Sequence, residues 1–550
     1  MAVKHIILDG KTSETKSSTL LELFQKEARL PYSENPIVAA TVNGVLTPLQ
    51  QEIKDGSEIS PIRLFSPFGK RVYRKSLCML LLYASQKLYN DKTLVIGHSL
   101  GDGFYFSYRD HFKADAAALE AKMREAIAKD EEIQLVTLSD EEAEEHVKRN
   151  KLTETEKLLE TEGFSSYSFF SLSGVLAVDY EPMLPYVKTI DVWELREYQD
   201  GLLLRYPQSR HKESILPFLD NPLLFSVFKE NKKIAENIGL ESLGALNIAL
   251  RDRKIEEAIV ISEAMMHRRI SNIADDIKKR GTVKIVTISG PSSSGKTTFS
   301  LKLSMELKAL GFDPIKISLD DYYLTDSFIP LDEDGKRDYE VLEALNLELF
   351  KEQIDSLLKG DEVHLASFSF KKKETTFREE SVKLKENSIV VIEGIHGLNP
   401  KLFEGYDEHL IYKIYISALT QLNLDSRSRI STTDNRILRR IVRDSRTRGT
   451  SVTETLKMWP SVERGEKNHI FPYQNNADAM INSALEYELG VLALYAIPLL
   501  KSVKKESGEA FTNAQRLLSF LSFVYPISPE SVPNDSILRE FIGGSVFSVI

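Results

Sequence analysis

An apolar run, Val283-Lys-Ile-Val-Thr-Ile-Ser289, feeds directly into Gly290-Pro-Ser-Ser-Ser-Gly-Lys-Thr297, and this junction constrains the fold more than any other stretch. A strand that turns at once into a helix through G-x-x-x-x-G-K-T leaves successive backbone N–H groups converging on one point. Gly290 and Gly295 permit the tight path. Ser292, Ser293, Ser294 and Thr298 supply further donors, and the positive end of the following helix adds to them, so a polyphosphate fits. Lys296 is spaced to reach the β and γ phosphates, and Thr297 to offer its hydroxyl to Mg²⁺. The junction predicts an ATP site that uses Mg²⁺.

Strand and helix patterns alternate from Val283 onward, which predicts a parallel sheet flanked by helices with ligands at the carboxyl ends of its strands. Ile315-Lys-Ile-Ser-Leu ends in Asp320-Asp321-Tyr322-Tyr323, and Ser388-Ile-Val-Val-Ile ends in Glu393. One carboxylate at such a mouth can take the proton of an attacking hydroxyl, and another suits Mg²⁺. Arg436, Arg439, Arg440 and Arg443 follow at i, i+3, i+4 and i+7, so they share one helix face. So dense a positive stripe predicts a lid that closes over ATP, since phosphates match guanidinium forks.

With 550 residues the chain exceeds one core, at about 100 to 200 residues per domain. A net charge of −10 argues against a nucleic-acid-binding surface spread over the whole molecule. The single cysteine, Cys78, excludes an internal disulfide and fits a reducing compartment. No apolar run reaches membrane-spanning length and the first residues do not read as an export signal, so the expectation is a cytoplasmic protein without a membrane partner.

The front half has its own pattern. Residues 3–8 read as a strand, Thr19 to Ala28 as an amphipathic helix, and Pro36 to Asn43 and Glu58 to Leu64 as strands around Asn43-Gly44 and Asp55-Gly56 turns. This arrangement resembles the ubiquitin-like TGS domain, a β-grasp fold. Ala84 to Tyr89, Ile96-Gly-His-Ser-Leu-Gly-Asp-Gly-Phe-Tyr-Phe-Ser-Tyr108, Leu119 to Asp130 and Leu138 to Ala143 then resemble, in order and spacing, the editing domain of threonyl-tRNA synthetases. That family hydrolyses mischarged tRNA with histidines and a cysteine. The resemblance puts Lys75, Met79, Leu204 and Gln208 at those positions, so it implies a retained α+β fold without the hydrolytic groups. His98, His111 and His211 stand at no metal-ligand spacing. The run Asp130 to Glu162 reads as a solvated helical surface, and Leu216 to Arg280 as helices with Leu243, Leu246, Ile248, Ile255, Ala258, Ile259 and Ile261 on apolar faces.

Over residues 283 to 485 the chain resembles the uridine kinase and phosphoribulokinase family. The resemblance implies that Asp320 is the catalytic base with Tyr323 beside it, that Asp338 contacts the acceptor sugar, and that Glu393 associates with Mg²⁺. It also implies that Arg440, Arg443 and Arg448 are lid arginines. His396, in Glu393-Gly-Ile-His-Gly, matches the phosphoribulokinase branch or is structural. The pyrimidine-reading segment of uridine kinases is replaced by Phe368-Ser-Phe-Lys-Lys-Lys-Glu-Thr375, where Phe368 stays as a candidate substrate contact and the lysines would suit an anionic acceptor. Lys457-Met-Trp-Pro460 likewise replaces the polar sequence expected after the lid.

The chain is thus expected to be a multidomain α/β and α+β protein: a TGS-like domain (1–65), a degenerate editing-like domain (66–212), a helical connector (213–281), a P-loop kinase (282–500) and a C-terminal extension (501–550). The expected activity is ATP- and Mg²⁺-dependent phosphoryl transfer to a small-molecule hydroxyl, with a nucleoside such as uridine or cytidine favoured as acceptor. The alternatives are a non-nucleoside anionic acceptor, and an RNA-associated regulatory ATPase that uses the front half.

Overall fold

In the computed structural model, which describes residues 3–207, 214–332, 335–369, 372 and 374–547, five parallel strands carry the glycine-rich loop. Their order across the sheet is Asp313–Ser318, Ser388–Glu393, Ile285–Ser289, Ile411–Ser417 and Ala479–Asn482. Every residue of the central strand Ile285–Ser289 is buried, which explains its nearly unbroken apolar run. Register then assembles the mouth of the site: Ser318 lies opposite Glu393, and Ile288 opposite Glu393 from the other side. Asp320, Glu393 and Gly290 therefore leave the same edge of the sheet.

The helix Lys296–Ala309 follows the loop, and Thr432–Thr447, Val452–His469, Glu488–Lys501 and Glu509–Leu521 pack on one another as a helical block. An antiparallel hairpin, Val363–Ser369 with Glu374–Val382, overhangs the carboxyl edge, its base held where Ala366 N–H donates to Gln353. Residues 370, 371 and 373 at its tip, including two of the three expected lysines, lie outside the described residues.

In the front region, strands Lys4–Leu8 and Glu58–Arg63 form a parallel pair inside a five-stranded mixed sheet covered by the helix Leu20–Ala28. Asn43 and Gly44 both take positive φ, 53° and 80°, as a two-residue hairpin turn requires. The helix Pro67–Leu88 and two antiparallel sheets build the next unit. Its sequence reading needs one correction, because Asp130 to Glu162 is not a solvated helical surface throughout. Ile133–Ser139 is a strand paired with Ser166–Leu172, and Thr153–Glu162 is a partly buried helix in which Glu154 is held by Arg109, Lys157 and Ser242. The alternation through Ile133, Leu135 and Leu138 is short, and the charges on both sides mask it.

Helices Pro222–Ile238, Leu243–Arg251 and Ile255–Arg280 lead into the parallel sheet. Ile261 points outward, and Glu263 is buried in its stead to accept from Tyr487 Oη at 2.6 Å. One apolar core runs from Ala143 and Leu158 through Ile288 to Phe541, so front and rear halves share an interior. Among the described residues no helix is long and apolar enough to cross a membrane.

Candidate active site

The loop between Ile285–Ser289 and Lys296–Ala309 has the geometry its glycines allow. A Cβ on Gly290 would lie 1.9 Å from the Ile416 carbonyl oxygen, and Gly295 sits at φ 82°. Lys296 folds back on its own loop, donating to the carbonyls of Gly290 at 2.9 Å and Pro291 at 3.2 Å. The hydroxyls of Ser293, Ser294 and Thr298 are buried without a partner among the described residues. Two loop amides already face carboxylates: Ser292 N–H donates to Glu466 at 3.1 Å, and Thr298 N–H donates to Glu540 at 3.1 Å. Both contacts put negative charge where helix-end donors attract it.

Three acids gather at the carboxyl edge. Asp320 opens onto the cleft, and the crowding around it, followed by Asp321, raises its carboxyl above the usual range against the pull of Lys296, Arg448 and Arg443. Burial foremost, then Asp320, raises Glu393 to about 7, with Lys296 and the Ser318 hydroxyl opposing. Glu340, which the sequence reading passed over, is pushed to about 7 by burial and by Glu466. Asp321 differs from its neighbour: Arg378 pairs with it at 3.0 Å and Phe368 N–H donates to it at 3.2 Å. Its role is to anchor the overhanging hairpin.

The arginine helix Thr432–Thr447 overturns the expectation of a four-guanidinium stripe free to close on phosphate. Arg439 is wholly buried, paired with Glu488 and bonded to the Ser293 and Ser483 carbonyls. Arg436 is buried against Glu466 and donates to the Ser292 carbonyl at 2.9 Å. These two brace the loop from beneath, and their counter-charges come from helices far along the chain. Arg440 donates to the Ser292 hydroxyl at 2.8 Å and to Asp444, while Arg443 and Arg448 also pair with Asp444. Of the three assigned to the lid, Arg443 and Arg448 bear electrostatically on Asp320, and Arg440 bears on Glu340.

The acceptor-side residues come together below Asp320. Tyr323 donates to the Tyr339 carbonyl at 3.1 Å, its ring 6.0 Å from that of Phe368, and Asp338 accepts from Glu340 N–H at 2.9 Å. Trp459 of the divergent Lys457-to-Pro460 segment is buried with the Arg436 guanidinium over its ring. His396 is 1% exposed and burial pulls it down to about 4, which leaves it uncharged and away from proton transfer. Glu466 and Glu540 were also missed by sequence reasoning, since each reaches the loop from more than 170 positions away. A carboxylate on one helix face gives no local sign of such a partner.

In the front region Lys75 donates to the Glu181 carbonyl and lies 3.9 Å over the Tyr180 ring, while Met79 and Leu204 are fully buried. Gln208 and His211 lie outside the described residues. His98 stacks on Phe228 at 3.7 Å.

Residues 285–489 match the model of the phosphoribulokinase / uridine kinase family. The chain is 27% identical over 198 residues to the uridine kinase of Bacillus pumilus, covering 36% of this chain and 85% of that one. It is 32% identical over 147 residues to the threonine–tRNA ligase of Pseudarthrobacter chlorophenolicus, covering 26% of this chain and 21% of that one. The chain therefore spans about a fifth of the length of the ligases it matches. A solved structure of a possible uridine kinase from Bacillus stearothermophilus aligns over 40% of this chain and 100% of its own, at 17% identity and a TM-score of 0.27. Residues 285–489 are thus similar to the phosphoribulokinase / uridine kinase family, and the chain also carries a region similar to part of the threonine–tRNA ligases.

Proposed function

We propose that this protein transfers the γ-phosphoryl group of ATP to a hydroxyl of a small molecule, and that the acceptor is a nucleoside of the uridine or cytidine type. The observation that carries the reading is the meeting of Asp320, Glu393 and Lys296 at the mouth of one glycine-rich loop, where Lys296 acts on both carboxyls and Asp320 on Glu393. Perturbed groups clustered in a cleft mark chemistry more often than packing.

The residues fit a magnesium ion. Glu393 and Asp320 are like charges in a crowded setting that a divalent cation relieves, and Thr297 opens the helix beside them. Mg²⁺ keeps several waters and needs only one or two protein oxygens besides the phosphates. When bound, it neutralises charge on the β and γ phosphate oxygens.

The chain's own groups do the rest. Asp320 accepts the acceptor's hydroxyl proton as that oxygen bonds to the γ phosphorus and the bond to the β–γ bridging oxygen breaks, releasing ADP. Lys296, which holds loop carbonyls in this structure, is within reach of the transferring group. Arg440, Arg443 and Arg448 offer guanidinium edges to the same charge. Tyr323 and Phe368 wall the acceptor, and Asp338 is placed for a sugar hydroxyl. ATP-dependent phosphorylation across a panel of nucleosides, sugar phosphates and other hydroxyl compounds tests the reading. Turnover of uridine or cytidine is the expected result, and turnover of a non-nucleoside alone would move the acceptor class.

A further inference from the structure

A cavity of about 610 Å³ lies apart from the glycine-rich loop, between the helix Pro67–Leu88, the hairpin Leu94–Tyr108 and the segment that leads into the arginine helix. That size suits a mononucleotide-sized ligand. Its wall holds a continuous stack. The Arg74 guanidinium lies 4.5 Å over the Tyr206 ring, Tyr206 packs 5.2 Å from Phe104, and the Arg429 guanidinium lies 5.5 Å from Phe104. A guanidinium that stacks by its face keeps its N–H edge for a ligand.

Neither arginine is neutralised. Arg74 makes no hydrogen bond or ion pair to any described residue, and Arg429 makes one long bond, 3.3 Å to the Thr432 hydroxyl. Two acids on the same wall are committed elsewhere: Asp102 forms a two-pronged pair with Arg205, and Glu181 pairs with Arg71 and Arg516, while Glu463 lines the far side. Both arginines are half-buried, and a cation partly withdrawn from water without a close counter-charge is stabilised by a ligand anion. Burial also pulls Lys75, on the same wall, down to about 8 and pushes the Cys78 thiol up to about 12. The thiol is thus no activated nucleophile, and the Lys75 amine is held by the Glu181 carbonyl and the Tyr180 ring.

We propose that this cavity is a second ligand site that takes a nucleoside monophosphate, its phosphate on the edges of Arg74 and Arg429 and its base against Phe104 and Tyr206. Arg436 stands between the two sites, lining the cavity while its Nε bonds the Ser292 carbonyl, so the cavity and the loop are neighbours with separate donors. The proposal is independent of the kinase reading.

The test is calorimetric titration of the full chain with AMP, GMP, CMP, UMP and inorganic phosphate. Wild type is expected to bind at least one monophosphate, and Arg74→Gln to weaken it about tenfold or more, as loss of a charged hydrogen bond predicts. Asp320→Asn and Lys296→Ala are expected to leave that affinity unchanged. Arg74 forms no hydrogen bond or ion pair among the described residues, so its variant should fold, and Arg429→Lys checks the second cation. Binding that ignores Arg74→Gln, or that disappears with Asp320→Asn, would assign the nucleotide to the kinase cleft and overturn the proposal. So would the absence of binding by all four nucleotides, or inorganic phosphate binding as tightly as they do.

Discussion

Arg71, on the front-region helix Pro67–Leu88, donates to Asp434 in the first turn of the arginine helix at 2.8 Å, although 363 positions separate them. Arg516 donates to both oxygens of the same carboxylate, at 3.0 and 2.8 Å, so one buried acid ties the front region, the kinase domain and the C-terminal helices. Burial pushes the Asp434 carboxyl up, but Arg516 and then Arg71 outweigh it and hold it at about 2. Removing this acid leaves the Arg71 and Arg516 guanidinium groups sharing Glu181 as their one remaining carboxylate partner among the described residues.

Asp434→Ala is accordingly expected to destabilise the chain by about 3–5 kcal/mol, the loss typical of breaking a buried pair from one side. Because the folded value lies below the unfolded one, this contribution is complete above the ordinary carboxylate range and is lost as pH falls towards 2. Urea unfolding at several pH values checks both statements. A variant as stable as wild type at neutral pH would show that the network contributes nothing net.

Glu393 and Glu340 work in the opposite sense. Both are raised to about 7, so the folded state holds protons that the unfolded state has released, and stability should fall as pH rises from the ordinary carboxylate range to 7. Mg²⁺ with ATP should offset the Glu393 share at neutral pH, and Glu393→Gln should flatten the dependence while abolishing that response. Thermal melting across this window, with and without Mg²⁺, is the measurement.

Asp320→Asn keeps size and most hydrogen bonding but cannot take a proton, so transfer should drop about 10² to 10⁴-fold with little change in ATP affinity. Asp321→Asn should act differently. It loosens the hairpin through Arg378 and Phe368 N–H, so KM for the acceptor should rise more than kcat falls. Equal effects on kcat would mean the base is misassigned.

Lys296→Ala should weaken ATP binding or abolish transfer without unfolding the chain, because the side chain bonds only two carbonyls of its own loop. A nucleotide-induced rise in Tm that persists at full turnover in the variant would remove the loop from the mechanism.

Glu540 accepts from the Thr298 N–H, a donor that the proposed ATP site would turn to phosphate. Glu540→Gln removes a negative charge from that point and should tighten ATP binding about tenfold, the worth of one charged hydrogen bond. Equilibrium titration with a non-hydrolysable ATP analogue measures it, and weaker binding in the variant would assign Glu540 a supporting role instead.

The parts of this molecule that could be read from sequence are those whose cause is local. Gly290, Gly295 and Lys296 declare the loop because backbone path and reach are set within eight residues, and Asp320 and Glu393 declare themselves as ends of apolar strands. The arginine stripe is legible as a helix face, but the partners of Arg436 and Arg439, Glu466 and Glu488, lie on other helices, so the bracing share of these two has no local sign. The strand Ile133–Ser139 was hidden by charged neighbours whose solvation hides a short alternation. The Arg74–Tyr206–Phe104–Arg429 stack joins four distant segments and has no sequence signature.

The contact between Thr298 and Glu540 also bears on how the protein is made. Ile537 packs against Gly295, within 2.6 Å of where a Cβ would stand, and Phe541 is buried under the Arg439 guanidinium. The floor beneath the glycine-rich loop therefore waits for a segment synthesised 242 residues later. During translation the emerging loop has all its glycines and its lysine but not its final shape, so a ribosome-bound chain should acquire nucleotide affinity late. A message truncated after residue 530 should give a protein with the whole motif and an unfinished site.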